Sequence, residues 1–290
     1  MLQFVFNGIS AGLGVALLAL GFALIYRPTG VFHIAHAAVF TTSAYAAYWA
    51  LHVYPSMATA GIASIAVGCS TGLMLEWAVY RPLAVRQASP LAVLVSSFGA
   101  YFAVVHLIAL VAGSEAKTLG RGLASPIRFA GTLLTPVQAG QAVVGILGML
   151  AVFMYLRFTR TGQWTRALAS NRTLLLTLGV NEPRLRALLF LLGSSLAAAA
   201  GLLTALDIGI HPQMGFGCFL MAAVAVILAG PDRFMAAGWA AVGLGVAQNL
   251  ALAVLPAIWM DSIVSALLLV ALLCRREALV GTLPSLGDSR

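Results

Sequence analysis

Charge is what this chain has least of. Aspartate, glutamate, lysine and arginine make up 8% of its 290 residues, against about a quarter in a soluble domain. That scarcity excludes an ordinary water-soluble globule. Lysine is nearly missing: Lys117 stands alone, and Ala116 precedes it instead of glycine. A phosphate-binding loop needs a lysine after its glycine run to reach the phosphates. The chain is therefore not expected to be its own ATPase, and ATP driving it would sit on a separate subunit. The three cysteines, Cys69, Cys218 and Cys274, are far apart and form no CxxC pair, which argues against a disulfide framework or a cysteine metal site. No lysine or arginine precedes the first apolar run, so the N-terminus does not read as a cleavable signal. The acids Glu76, Glu115, Glu182, Asp207, Asp232, Asp261, Glu277 and Asp288 all fall in loops or near span ends. Without a mid-span acid, a proton-driven carrier lacks its relay and an intramembrane hydrolase lacks paired carboxyls.

Apolar sequence is what the chain has instead: 61% hydrophobic, with mean hydropathy +1.00. This reads as an all-α polytopic membrane bundle forming one transmembrane domain over residues 1–290. The net charge of +8 follows from basic residues gathered on one membrane side, and no basic patch interleaved with aromatics points to nucleic acid. About eight to nine spans are expected, near Phe4–Ile25, Val31–Leu51, Met57–Val79, Leu91–Ala112, Val137–Leu156, Ala187–Leu206, Cys218–Ala229, Met235–Leu255 and Ile258–Leu273. Alternation with the N-terminus outside and the C-terminus inside puts 13 of 16 basic residues inside, leaving only Lys117, Arg121 and Arg128 outside. Small residues recur at four-residue spacing in Gly8-Gly12-Ala16, Ser64-Gly68-Gly72 and Gly193-Ala197-Gly201, faces on which helices pack closely. The external segment 113–136 is too polar to span and is expected to hold a short surface helix.

Spans two and seven are the irregular ones. Arg27-Pro28-Thr29-Gly30 breaks the chain before the second, and Asp207–Gly217 breaks it before the seventh. Their offset of five spans gives them opposite directions, so the pattern suggests an inverted repeat with broken helices, an arrangement that marks a solute path near the midplane. His33, His36, Thr41, Thr42, Gln213 and Met214 are the path candidates. His33 and His36 share a helical face but have no further ligand in their span, so a metal is not expected. The threonine hydroxyls have a second use, bonding their own helix backbone.

The longest polar interruption is Phe158–Arg186. It carries Arg160, Arg166, Arg172, Arg184 and Arg186 against one acid, Glu182. Trp164, Leu168, Leu175 and Leu178 fall near helical spacing, so a helix is expected from about Gln163 to Leu178. Gly179 suits a left-handed helix end, and Asn181 a cap for the next helix with Pro183 in its first turn. A solvated linker needs none of these signals; a docking surface does. From the residues alone, a subunit driven by a separate ATPase, a stand-alone channel or carrier, and a membrane-embedded enzyme are the classes weighed.

The chain resembles the permease subunits of branched-chain amino acid ABC importers, the LivH type. Gly30-Val31-Phe32-His33-Ile34-Ala35-His36 is similar to that family's Gly-x-x-Asn-Phe-Ala-His segment, and Tyr80-Arg81-Pro82-Leu83 to its Tyr-Arg-Pro-Leu. Gly162 with Arg166-Ala167, Asn171, Leu178-Gly179-Val180-Asn181 and Arg184 resembles its large cytoplasmic loop. Ser195-Leu196-Ala197 through Ala200-Gly201-Leu202-Leu203 and Pro212-Gln213-Met214-Gly215 follow in the family's order. The departures are His33 for asparagine, Ala37 for the glycine after the histidine, and Gly230-Pro231-Asp232-Arg233 where a Gly-Gly turn is usual. The resemblance implies a bacterial inner-membrane importer for branched-chain or other hydrophobic amino acids; related permeases take urea, amides and other small molecules. It implies a second permease subunit, often a different one, a periplasmic solute-binding protein and two cytoplasmic ATPases, with no cofactor on this chain. It also implies that Arg166, Asn171, Arg172, Leu175, Leu178 and Gly179 form the ATPase contact.

Overall fold

A computed structural model gives the fold; it describes residues 1–119, 127–129, 132–230 and 233–253, with isolated positions 256, 259, 266 and 270 beyond. The described chain is helical apart from one small ladder. Its elements are α1 (Leu2–Thr29), α2 (His36–Val53), α3 (Met57–Leu75), a π-helical turn (Glu76–Tyr80), α4 (Arg81–Val85), α5 (Pro90–Ala112), β1 (Ile127–Phe129), β2 (Thr132–Leu134), α6 (Pro136–Phe158), α7 (Arg160–Ser170), α8 (Arg172–Thr177), α9 (Glu182–Ile208), α10 (Met214–Ala229) and α11 (Phe234–Ala251). Among the described residues, six helical stretches are long and apolar enough to cross a membrane: α1, α3 continued through the π turn to Val85, α5, α6, α9 and α11. The protein is thus a multi-pass membrane protein. The expected last span, about Ile258–Leu273, lies outside the described residues except for positions 259, 266 and 270.

The bundle is built around α1. Its apolar window is 83% buried, against 22–28% for α3, α5, α6 and α11, whose outer faces carry exposed Ile62, Phe102, Leu110 and Ile146. Helices reach α1 closely because glycines stand where they cross. A Cβ on Gly8 would lie 2.6 Å from the Val246 Cα of α11, and one on Gly21 would lie 2.6 Å from the Gly193 carbonyl of α9. Without a hydrophobic force between helices in lipid, such backbone contact is what holds spans together. The stripe Ser64-Gly68-Gly72 on α3 likewise faces α9, and Ser64 Oγ donates to the Ala198 carbonyl at 3.1 Å.

The helix ends follow local chemistry. Gly30, at φ 68°, closes α1 with its N–H on the Tyr26 carbonyl at 2.8 Å. The expected break at Arg27 therefore comes later: α1 runs through Pro28, which has no N–H for the Leu24 carbonyl, and stops two residues on at Gly30. Thr135 and Gln138 form a reciprocal capping box before α6, and Ser89 caps α5 ahead of Pro90. The surface helix expected in 113–136 is not what the described residues there form. Ile127, Arg128 and Phe129 pair with Leu134, Leu133 and Thr132 in an antiparallel ladder, because these residue types favour strands and only two residues separate the runs. Lys117 pairs with Ile210 in an isolated antiparallel bridge, tying this segment to the chain between α9 and α10.

Candidate functional site

The two irregular spans are interrupted helices that begin inside the bundle. After Gly30 the chain turns back along α1, and α2 starts at His36, whose ring packs on Gly21 and Phe22. Gly21 lies eight residues before the end of α1, about 12 Å at 1.5 Å per residue. The second interruption starts from the opposite end. There α9 stops at Ile208, Ile210 is held by Lys117, and α10 starts at Met214. Gly215 then packs on the Ala37 carbonyl and Thr41 of α2, so the first turns of the two broken helices touch. Neither first turn has a side-chain cap.

The path candidates separate in this frame. His33, His36 and Thr41 are fully buried, and Met214 is nearly so. Thr41 Oγ1 donates to the Ala37 carbonyl at 3.0 Å and Thr42 Oγ1 to the Ala38 carbonyl at 2.9 Å, so both hydroxyls serve their own helix. Thr42 also lines an open, apolar cavity of about 490 Å³ with Tyr45, Trp49, Val53, Val67 and Ile108. Gln213 is exposed just ahead of α10. Thr42 and Gln213 thus have access to space, whereas the histidines sit within packed side chains.

Those side chains fix the break before α2. His33 Nδ1 lies 2.7 Å from the Tyr80 hydroxyl, Tyr80 donates to Ser97 Oγ at 2.8 Å, and the Ala35 N–H donates to the same Ser97 Oγ at 3.2 Å. Both ends of the segment 33–35 are therefore tied to α5 and to the π turn. The His33 ring also stands 5.2 Å from Phe190 of α9. Four residues before Tyr80, Glu76 accepts two hydrogen bonds from Arg186 of α9, at 2.9 and 3.2 Å. Glu76 is 2% exposed and the Arg186 side chain 10%. The carboxylate and the guanidinium meet in a two-pronged geometry that offsets the cost of burying them.

The polar stretch 158–186 is a docked elbow. The expected single helix is two, because Asn171 leaves helical geometry (φ −150°) and caps α8, accepting from the Leu174 N–H at 2.9 Å. Thr159 caps α7, and Asn181 caps α9. Gly179 has φ 76°, the left-handed conformation anticipated for it, though it lies past the last turn of α8. Gly162 presses on the Tyr155 carbonyl of α6, and Thr165 Oγ1 stands 3.0 Å from the Tyr155 hydroxyl. Leu168 of α7, Leu175 of α8, and Leu185 and Leu189 of α9 form a small core of their own. Leu175 is therefore an internal support, at 2% exposure, while Leu174, Leu176 and Leu178 (73%) face outward with Arg166. Arg172 makes two 2.9 Å bonds to Glu182, and that carboxylate raises the guanidinium pKa above its ordinary value.

Comparison with known proteins places this geometry. A family model described as "Branched-chain amino acid transport system / permease component" matches residues 4–273. The chain belongs to that permease family. It is 30% identical over 97% of its length to a Salmonella typhimurium protein named high-affinity branched-chain amino acid transport system permease protein LivH, covering 95% of that relative. The Escherichia coli K12 LivH is 29% identical and the Pseudomonas aeruginosa BraD permease 28%, over the same shares. Among solved structures, a chain of PsaBC from Streptococcus pneumoniae in complex with Fab has a similar fold, with a TM-score of 0.53 at 11% identity, covering 93% of this chain and 91% of that one.

The buried contacts of Glu76, Tyr80, Ser97 and Arg186 are not legible in the sequence. Glu76 reads as a span-end acid and Arg186 as one more basic residue of the loop. The available signal was Tyr80-Arg81-Pro82-Leu83 together with an acid and a tyrosine four apart on an apolar helix. Only the fold brings Arg186 to Glu76 across 110 residues of sequence.

Proposed function

We propose that this chain is the membrane-spanning permease subunit of a binding-protein-dependent ABC importer for branched-chain amino acids in the bacterial inner membrane. The observation that carries the reading is the family match across residues 4–273 in a bundle whose two interrupted helices meet at their first turns. Interrupted helices that begin inside a bundle are how transporters place a solute site away from both surfaces. The apolar cavity beside Thr42 suits an aliphatic side chain.

The distribution of charge at the two ends of α1 supports one orientation. Arg27, Arg157, Arg166, Arg172, Arg184, Arg186 and Arg233 gather toward its Arg27 end, where Arg27 lies over the Phe234 ring and α7 packs against α6. Lys117 belongs to the Met1 end. The Arg27 end is cytoplasmic, the N-terminus is outside, and the elbow α7–α8 receives an ATPase. A second permease subunit completes the path, with one ATPase under each permease and a periplasmic binding protein on the Met1 side.

Purification from the native membrane under mild detergent, followed by reconstitution, tests the reading. Two ATPase chains and a second permease should accompany this chain, and leucine-loaded binding protein should raise ATP hydrolysis and drive leucine uptake. Uptake by the isolated chain without ATP, or a complex that responds only to other solutes, would refute the assignment.

A further inference from the structure

Two ion pairs and a hydroxyl relay lie between the elbow and the break before α2, joined to one another by the backbone of α9 and of the π turn. The series begins on α8, where Arg172 holds Glu182 in the first turn of α9. Arg186 lies four residues further along the same helix, so it shares that face. Arg186 holds Glu76, the first residue of the π turn, and Tyr80, the last residue of that turn, holds His33 and Ser97. Ser97 receives the Ala35 N–H, which closes the series on the non-helical segment itself.

Each part has a feature that simple packing does not call for. A buried ion pair is weak evidence of stability, because desolvation offsets its Coulomb attraction. A π turn is a rare interruption that recurs at functional sites. This one directs both Glu76 and Tyr80 inward while Trp77, between them, stays exposed. It also precedes Pro82, which has no N–H to continue the helical ladder. The turn is a joint in α3, fastened at one end to α9 and at the other to the break.

We propose that Glu76, Arg186 and Tyr80 are positioning residues of transport: they tie the elbow, where α8 meets the first turn of α9, to the segment 33–35, so that displacement of the elbow moves the start of α2. This rests on the reading of the chain as an ATP-driven permease. None of the three touches solute; they set the position of the helix that lines the cavity. Because α2 and α10 meet at Ala37 and Gly215, a shift of the α2 start also reaches the second broken helix.

The test uses the reconstituted complex with its ATPases and binding protein. Tyr80→Phe keeps the ring and removes only the hydroxyl. Ser97→Ala removes the other end of the same relay and serves if Tyr80→Phe assembles poorly. Glu76→Arg, Arg186→Glu and their combination reverse the ion pair. Opening at α2 is read by an Ala46→Cys reporter, with Cys69, Cys218 and Cys274 replaced by alanine, labelled by a membrane-impermeant maleimide with and without ATP. Tyr80→Phe should keep basal ATP hydrolysis, lose about tenfold in leucine-stimulated hydrolysis and uptake, and lose the ATP dependence of labelling. The single charge reversals should abolish uptake, and the double reversal should recover a measurable part of it. Wild-type stimulation and ATP-dependent labelling in both Tyr80→Phe and Ser97→Ala would overturn the link while leaving the permease reading intact. A wild-type complex that takes up leucine with ATP while its reporter ignores ATP would also overturn the link, whereas uptake without ATP would refute the ATP-driven reading, and the proposal with it.

Discussion

Replacing Gly21 with alanine tests the claim that backbone contact between α1 and α9 organises the bundle. The added Cβ would stand 2.6 Å from the Gly193 carbonyl and 3.1 Å from His36 Nε2. The first contact is with backbone, which cannot rotate away, so the two helices must separate by most of an ångström. Overpacking of this kind costs about 1–3 kcal/mol, offset by about 0.5–1 kcal/mol from alanine's better helix propensity. A net loss of about 1–2 kcal/mol corresponds to a fall of roughly 2–8 °C in apparent melting temperature. Gly14→Ala is the matched control. It lies on the same helix with nothing within 4 Å of its Cβ position, so only the propensity gain applies and melting should hold or rise. Gly193→Ala meets the Gly21 carbonyl at 2.7 Å and should resemble Gly21→Ala. The double variant should lose less than the two singles added, because one opening of the crossing relieves both clashes. Melting of the purified protein in detergent, followed by intrinsic fluorescence, provides the measurement. Equal melting of Gly21→Ala and Gly14→Ala would refute the reasoning.

Other substitutions separate support from contact in the elbow and test the cavity. Leu178→Glu, at an exposed position, should change melting by less than about 0.5 kcal/mol yet abolish co-purification of the ATPase; retained ATPase would move the contact elsewhere. Leu175→Ala should destabilise the elbow by about 2–5 kcal/mol, seen as faster proteolysis within 171–181 while the membrane helices stay intact. Asn171→Ala removes the cap of α8 and should cost about 1 kcal/mol, read as faster amide exchange at Leu174 with little change elsewhere. Thr42→Trp should fill part of the cavity and lower the rate of leucine uptake without affecting assembly; unchanged uptake would place the path off this face of α2.

Periodicity and composition are enough to find the membrane helices, because a span must be apolar along its length and its interruptions are visible as polar sequence. Arg27-Pro28-Thr29-Gly30 and Asp207–Gly217 mark both breaks for that reason, and Gly179 and Asn181 mark the end of the elbow. Where the reading shifted, a competing local signal was at work. Asn171 split the elbow helix because its side chain caps α8 better than it continues α7. In 113–136, two short runs with β-favouring residues around Ala130-Gly131 formed a ladder in place of a surface helix.

The sequence by itself determined the class of the protein, the places of its long apolar helices, its two broken helices and the elbow between α6 and α9. It did so because those properties depend on runs and spacings along one chain. The tertiary structure decided which candidates face space and which are buried. Leu175 looks like its neighbours in the sequence, but helix phase turns it toward Leu168 and Leu189. The structure also decided the partners of Glu76 and Tyr80. A charge at a span end has no visible address until α9 packs on α3 and brings Arg186 within 2.9 Å. Contacts across such separations depend on how helices pack against one another, and only the assembled bundle fixes that.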